Sequence, residues 1–141
     1  MTNKAFTLME LIVVIAIIVI LIGAAVPATR NARSQAQQAR ASADSETIKT
    51  AALMLHNDTG SWPPTGNAGN DLIANYSSWP GWNGPYLDQW KNDPWGSAYA
   101  IYDVTGTPTQ RWVESIGPDK TGAAHGTGDD IGLIVTPDIS K

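Results

Sequence analysis

The chain has no cysteine, only two histidines and a single phenylalanine among its 141 residues. Without cysteine it cannot form disulfides, iron–sulfur clusters, zinc ribbons or a thiol nucleophile. Its histidines, His56 and His125, have no partner at metal-ligand spacing. The sequence also lacks a nucleophile elbow, a phosphate-binding P-loop and a dinucleotide fingerprint. Nothing in these absences or motifs points to an enzyme.

Basic residues are also scarce, because nine lysines and arginines face 13 acidic residues and leave a formal charge of −4. A protein that binds nucleic acid by neutralising phosphates needs the opposite balance, so no nucleic-acid partner is expected. The length is typical of one domain.

Charge is absent altogether between Leu11 and Thr29, where the chain reads LIVVIAIIVILIGAAVPAT. Nineteen residues of helix span about 28 Å, close to the hydrocarbon thickness of a bilayer. The run is longer than the apolar core of about 7–15 residues in a cleaved secretory signal. The sequence therefore predicts a hydrophobic, membrane-spanning helix over residues 6–29.

Glu10 is the one acidic residue of this segment. A carboxylate inside a spanning helix is costly and marks a functional site with a partner, whereas one in the headgroup region needs no such role. Spacing alone leaves both interpretations open. Gly23 and Pro27 interrupt the run near its outer end, where the missing amide of proline predicts a kink or local melting.

Residues 30–60 have the pattern of an amphipathic helix that continues into a head. Small and apolar residues recur at helical spacing and form one stripe: Ala32, Ala36, Ala39, Ala43, Ile48, Ala52 and Leu55. Ala51 and Met54 lie beside this stripe. The small-residue part permits close approach of a helix, either from the same chain or from another. Gly60 is the expected terminator.

Residues 61–141 lose helical periodicity and are punctuated by Gly, Pro, Asn, Asp and Ser. Two segments, 98–104 and 110–116, read as strands joined by a TGTPT loop of hairpin length. Residues 131–135 read as a further strand or an extended tail that ends at Pro137. The predicted fold class is α+β, with a long N-terminal helix packed on a small antiparallel sheet that carries long loops.

Six tryptophans lie mostly beside Pro or Gly in loops of this head. Packing of these loops onto the sheet is the favoured interpretation, because aromatic rings bury large areas where aliphatic residues are few. A carbohydrate platform at Trp79 and Trp82 is the alternative.

Three aspartates, Asp119, Asp129 and Asp130, lie in the glycine-rich string GPDKTGAAHGTGDD. Calcium takes six to eight oxygen ligands, and a flexible loop can supply several carboxylates and carbonyls. The string is not an EF-hand, since the sixth position from Asp119 is Ala124 and not glycine. Aspartates also occur in turns simply to bond backbone amides, so the pattern allows a metal site or a turn.

The string KAFTLMELIVVIAIIVILIGAAVP resembles the amino terminus of type IV pilins and pseudopilins. The resemblance implies a leader over residues 1–5, cleavage by a prepilin peptidase between Ala5 and Phe6, and N-methylation of Phe6. Ala5 stands where the family usually has glycine. Glu10 matches the family's glutamate, which neutralises the amino terminus of a neighbouring subunit in the filament.

The strings HNDTGSWP, WNGPYL, NDPWGSAYAIYD and SIGPDKTGAAHGTGDDI resemble the type II secretion branch of this family, the major pseudopilins. The resemblance implies a type IV pilin-like fold, calcium bound by Asp119, Asp129 and Asp130, and a homopolymeric periplasmic filament that drives protein secretion. Implied partners are the inner-membrane assembly platform, minor pseudopilins and, before assembly, membrane lipid.

A surface fibre for adhesion, motility or DNA uptake, and a membrane-anchored carbohydrate-binding protein, are the alternative functions. The resemblance also implies a single-pass inner-membrane protein with its head in the periplasm. The charge rule predicts the reverse orientation, because Arg30, Arg33 and Arg40 follow the apolar run while Lys4 alone precedes it. The more specific motif outweighs this statistical rule.

Overall fold

The computed structural model describes residues 6–66, 69–104, 110–122 and 129–136, except the side chains of residues 24–28 and 136. Its elements are α1 (Leu8–Thr59), α2 (Gly69–Ile73), β1 (Ala100–Val104), β2 (Gln110–Ser115) and β3 (Ile131–Thr136). The chain divides into two compact units, Met1–Ala36 and Gln37–Lys141, and each is described by itself.

In the first unit, α1 begins with Thr7 as its N-cap. The Glu10 amide donates to the Thr7 hydroxyl at 3.3 Å and to the Thr7 carbonyl at 3.1 Å. Thr7 and Glu10 stand at the positions of a capping box, and an acid in the first turn also favours the helix dipole. The Glu10 carboxylate therefore also has a favourable place in the first turn of the helix, which sequence analysis missed.

The apolar part of α1 is helical without interruption through Gly23 and Pro27. The predicted local melting is thus wrong, because the loss of one amide donor at proline leaves the hydrogen bonds of the neighbouring turns in place. A kink at this point stays a prediction. No helix within the described residues meets the length and apolarity needed to cross a membrane, so the predicted span is not confirmed.

In the second unit, α1 buries one face against the head. The buried positions recur at spacings of four and three residues and are Ala41, Ser45, Ile48, Ala52 and Leu55, with Ala51 beside them. The predicted stripe is wrong in its small-residue part, since Ala32, Ala36, Ala39 and Ala43 are all exposed, and Met54 beside it is 51% exposed. The stripe shifts because Ala41 and Ser45 continue the helical row of Ile48.

The end of α1 agrees with the sequence. The helix stops at Thr59, and Gly60 follows with φ of +69°. The Gly60 amide still donates to the His56 carbonyl at 2.8 Å. Glycine adopts this left-handed conformation without steric cost, which explains the termination.

The sheet is antiparallel with the order β1-β2-β3. Both predicted strands are present, with ends that differ by one or two residues, and residues 131–136 form a third strand rather than an extended tail. The α+β prediction is confirmed. The predicted TGTPT loop falls on residues 105–109, outside the described part. Ile101, Val113 and Val135, one from each strand, join the buried face of α1 in the core.

The short helix α2 was not predicted, because five residues are too few for helical periodicity to show. Its Asp71 is buried and accepts hydrogen bonds from the amide and hydroxyl of Ser77, both at 2.8 Å. The Asp71 carbonyl accepts the indole N–H of Trp82 at 2.9 Å. These bonds attach the following loop to α2.

Most of the tryptophans pack loops of the head against its core. Four of them are partly buried against the core: Trp62, Trp79, Trp82 and Trp90. The Trp62 ring also stacks on His56 at 3.9 Å between ring centroids, and the Arg111 guanidinium lies 5.7 Å from its centroid. The favoured interpretation is confirmed for these four rings.

Gly69→Ala is expected to destabilise the head by about 1–3 kcal/mol. A Cβ at this buried position would overlap the Trp90 ring, which packs directly on the glycine. Gly122→Ala is the control, since among the described residues its Cβ would meet Ile116 at an ordinary 3.7 Å. Chemical unfolding of the full chain in detergent measures the effect, and equal stabilities of the two variants would contradict it.

Candidate metal centre

The three aspartates singled out from the sequence lie at the two ends of the β2–β3 connection. Strand pairing places Ser115, the last residue of β2, opposite Ile131, the first of β3. Asp130 directly precedes Ile131, and Asp119 follows Ser115 by four residues. The antiparallel register therefore brings both ends of the loop to one edge of the sheet.

The carboxylates of Asp119, Asp129 and Asp130 approach closely: one oxygen from each lies within 4.8 Å of the others. Two oxygens that share a calcium ion at about 2.4 Å can be up to roughly 4.8 Å apart, so the spacing fits one such ion. Asp119 is exposed, Asp129 is half-buried and Asp130 is buried. The cluster thus runs from solvent into the protein.

Hydrogen bonds hold Asp119 in its ionised form. Its two carboxylate oxygens accept the Thr121 amide at 2.8 Å and the Thr121 hydroxyl at 2.6 Å. These bonds lower the pKa of Asp119 below its usual value. The Asp119 amide in turn donates to Asp129 Oδ2 at 3.2 Å. The loop therefore presents charged oxygens, the ligands that hard cations prefer.

The backbone around the cluster is tightly built. Gly117 has φ of +67°, and a Cβ there would collide with the main-chain carbonyl of Asp129. Lys120 also adopts a positive φ, 58°, between Asp119 and Thr121. Only glycine permits the close approach of the two loop ends at position 117.

Asp93 supports the cluster from outside the loop, and sequence analysis missed this role. It is buried, accepts the amides of Trp95 and Ser97 on Oδ1, and accepts the Ser115 hydroxyl on Oδ2 at 2.6 Å. The Ser115 hydroxyl also accepts the Gly117 amide at 3.3 Å. The only sequence signal was the turn string Asn-Asp-Pro-Trp-Gly, which does not reveal the contact with β2.

Asp93→Ala is expected to lower the free energy of unfolding by about 2–4 kcal/mol, because three donors lose their acceptor at a buried site. Asp88→Ala is the matched control, since Asp88 is exposed and should change stability by less than about 0.5 kcal/mol. Urea unfolding of both variants checks this. A neutral Asp93→Ala would mean that the turn is not held by this carboxylate.

The cluster includes none of the other residues singled out from the sequence. Phe6 and Glu10 are exposed at the start of α1, and Ala5 lies outside the described residues. His56 stacks on Trp62 near the end of α1. His125 falls within residues 123–128, also outside the described part, as do any carbonyl ligands from that stretch.

Comparison with known proteins agrees with this architecture. The prokaryotic N-terminal methylation motif matches residues 1–26, and the PilW C-terminal family matches residues 32–111. The type II secretion system core protein G of Vibrio cholerae is 31% identical over 133 residues, covering 92% of this chain and 90% of that protein. Its counterpart in Aeromonas hydrophila is 32% identical over 134 residues, covering 92% and 91%.

In Pectobacterium carotovorum the protein of the same name is 30% identical over 134 residues, covering 92% of this chain and 83% of that protein. These alignments include both the apolar segment and the head, so the resemblance read from the sequence is confirmed. The chain belongs to the family of type II secretion system core protein G, the major pseudopilins.

Proposed function

We propose that the chain is a structural subunit that polymerises through the apolar half of α1 into a pseudopilus of type II protein secretion. The observation that carries the proposal is the exposure of this half: Phe6, Leu8 and Ile20 are 77%, 75% and 71% exposed. Apolar surface of this extent needs a cover, which neighbouring copies of the same helix provide in a filament. The names of the relatives support secretion over the alternative functions.

Processing prepares the subunit for assembly in this proposal. The methylation motif over residues 1–26 supports cleavage by a prepilin peptidase between Ala5 and Phe6, followed by N-methylation of Phe6. The new amino terminus carries a positive charge. Within the described residues Glu10 forms no ion pair, so its carboxylate is available to neutralise the amino terminus of the next subunit. A mismatched register would leave both charges buried and unpaired.

Before assembly, the same apolar segment is proposed to reside in the inner membrane with the head in the periplasm. The support is the charge-free run from Leu11 to Thr29 and the exposed apolar side chains on α1. The inner-membrane assembly platform and minor pseudopilins are the further proposed partners. Subunits then exchange a lipid environment for one made of neighbouring helices.

Calcium is proposed to bind Asp119, Asp129 and Asp130. Three carboxylates this close repel one another, and a divalent cation relieves the repulsion while joining the end of β2 to the start of β3. A chain without cysteine has no disulfide with which to close this loop. The ion therefore cross-links the end of β2 to the start of β3, and it binds only when the head is folded.

Electron microscopy of the full chain, produced together with prepilin peptidase and the secretion assembly components, tests the proposed function. Periplasmic filaments that label with antibody against the head are expected, and secretion should fail when the chain is deleted. A chain that stays monomeric while secretion proceeds would contradict the proposal. Fibres that serve only adhesion would favour a surface pilus instead.

A further inference from the structure

Two arginines, Arg30 and Arg33, follow the apolar run directly and have no acidic counterpart nearby. Between residues 11 and 43 the chain contains no Asp or Glu, and its only other charge is Arg40. Arg40 Nε lies 3.6 Å from Asp44 Oδ2. Arg30 and Arg33 are exposed, and within the described part of the chain neither forms an ion pair. The pair therefore concentrates two unneutralised positive charges.

The two arginines are neighbours on the surface of α1. Residues three apart in a helix are separated by about 4.5 Å along the axis and face the same side. Arg30 and Arg33 line one surface pocket together with Thr29 and Ala32. Paired guanidinium groups bind phosphate oxygens through several charge-assisted hydrogen bonds.

Their place at the end of the apolar run indicates where such a phosphate comes from. No charged residue lies between Leu11 and Thr29, and the exposed apolar side chains of this run include Ile20 and Leu21. Arginines at the end of a lipid-facing segment reach the headgroup layer with their side chains. In that layer the concentrated anions are lipid phosphates.

We infer that Arg30 and Arg33 form a binding site for the phosphate of an anionic phospholipid headgroup. This inference rests on the proposed bilayer location of the apolar segment and goes beyond polymerisation. The contact sets how deep the subunit lies before assembly and must break when the subunit leaves the membrane. It thereby retains subunits in the bilayer until they are extracted into a filament.

The test measures lipid binding to the full chain in dodecyl maltoside micelles by native mass spectrometry. Phosphatidylglycerol and phosphatidylcholine are titrated separately. Each arginine near an anionic surface contributes about fivefold in affinity, so Arg30→Gln/Arg33→Gln should bind phosphatidylglycerol roughly 30-fold more weakly. Arg40→Gln is the matched control and should match the unaltered chain, because Arg40 is already paired with Asp44.

Arg30→Lys/Arg33→Lys keeps the charge but loses the guanidinium geometry, so it should bind phosphatidylglycerol more strongly than the glutamine variant and more weakly than the unaltered chain. This variant also carries the test if the glutamine variant loses helical circular dichroism. Unchanged phosphatidylglycerol binding by the glutamine variant would overturn the inference. Displacement of the lipid by inorganic phosphate would overturn it as well, by showing a site for free anions.

A third adverse outcome is weaker self-association with unchanged lipid binding, which would assign the arginines to an acidic surface on a second copy. The inference and the proposed function fail separately. A chain that prefers phosphatidylglycerol but never forms filaments would contradict only the filament. Filaments from a chain without lipid preference would contradict only the headgroup site.

Discussion

Glu10→Ala should abolish filament assembly while the processed subunit accumulates in the membrane. In the proposed filament Glu10 neutralises the amino terminus of a neighbour, and removal of one partner leaves a buried charge at a cost of about 3–5 kcal/mol per contact. A loss of this size at every subunit contact lowers assembly by more than about 100-fold. Filament length and number in electron micrographs, at matched protein levels, measure the effect.

Glu10→Gln separates charge pairing from the local role of Glu10 at the helix end. Glutamine keeps the capping-box pattern with Thr7 but carries no charge, so it should fail to assemble as alanine does. Thr7→Ala is the matched control, because it removes the cap at a cost of about 1 kcal/mol and leaves Glu10 charged. Normal filaments from Glu10→Gln would refute the pairing, and loss of filaments in Thr7→Ala alone would assign the effect to capping.

Removal of the proposed calcium ion is expected to lower the melting temperature of the head by about 10–20 °C. A ligand that binds only the folded state at a hundredfold excess over Kd stabilises it by about 2.7 kcal/mol. For a unit of about 100 residues, each kcal/mol shifts the melting temperature by roughly 4–8 °C. Differential scanning calorimetry of the full chain in detergent, with calcium and then with chelator, measures the shift.

Asp130→Ala should remove this response, because Asp130 is the buried carboxylate of the cluster. Asp88→Ala provides a control that loses one exposed acid outside the cluster and should respond to chelator as the unaltered chain does. Addition of magnesium in place of calcium tests selectivity, since magnesium demands a tighter octahedral shell. An identical melting curve with and without chelator would show that the three aspartates form only a turn.

Much of the fold follows from local pattern. The helix, its end at Gly60 and the three strands lie where periodicity and turn residues indicated, within one or two residues for the strands. These features depend on neighbours in the chain, so one sequence contains their signal. Helix α2 was not predicted because five residues are too few to show helical periodicity. The cap at Thr7 was not predicted because Glu10 was interpreted only together with the apolar run that follows it.

For the candidate site, the sequence could predict which aspartates belong to it but not that they lie close together. Asp119, Asp129 and Asp130 could be chosen from a glycine-rich string, but a string does not reveal whether its two ends meet. Asp93 could not be found at all, because its partner Ser115 lies 22 residues away. Contacts of that kind form only after strands and loops have packed.

The sequence by itself determined a helix that begins with one acid, Glu10, and a charge-free apolar run, and a cysteine-free head of short strands. Periodicity, charge and turn chemistry are properties of adjacent residues, and they suffice for these features. The tertiary structure alone decided that Ala41 and Ser45, and not Ala43, face the core. It also decided that the register of β2 against β3 gathers three carboxylates at one edge, because strand pairing joins residues distant in the chain.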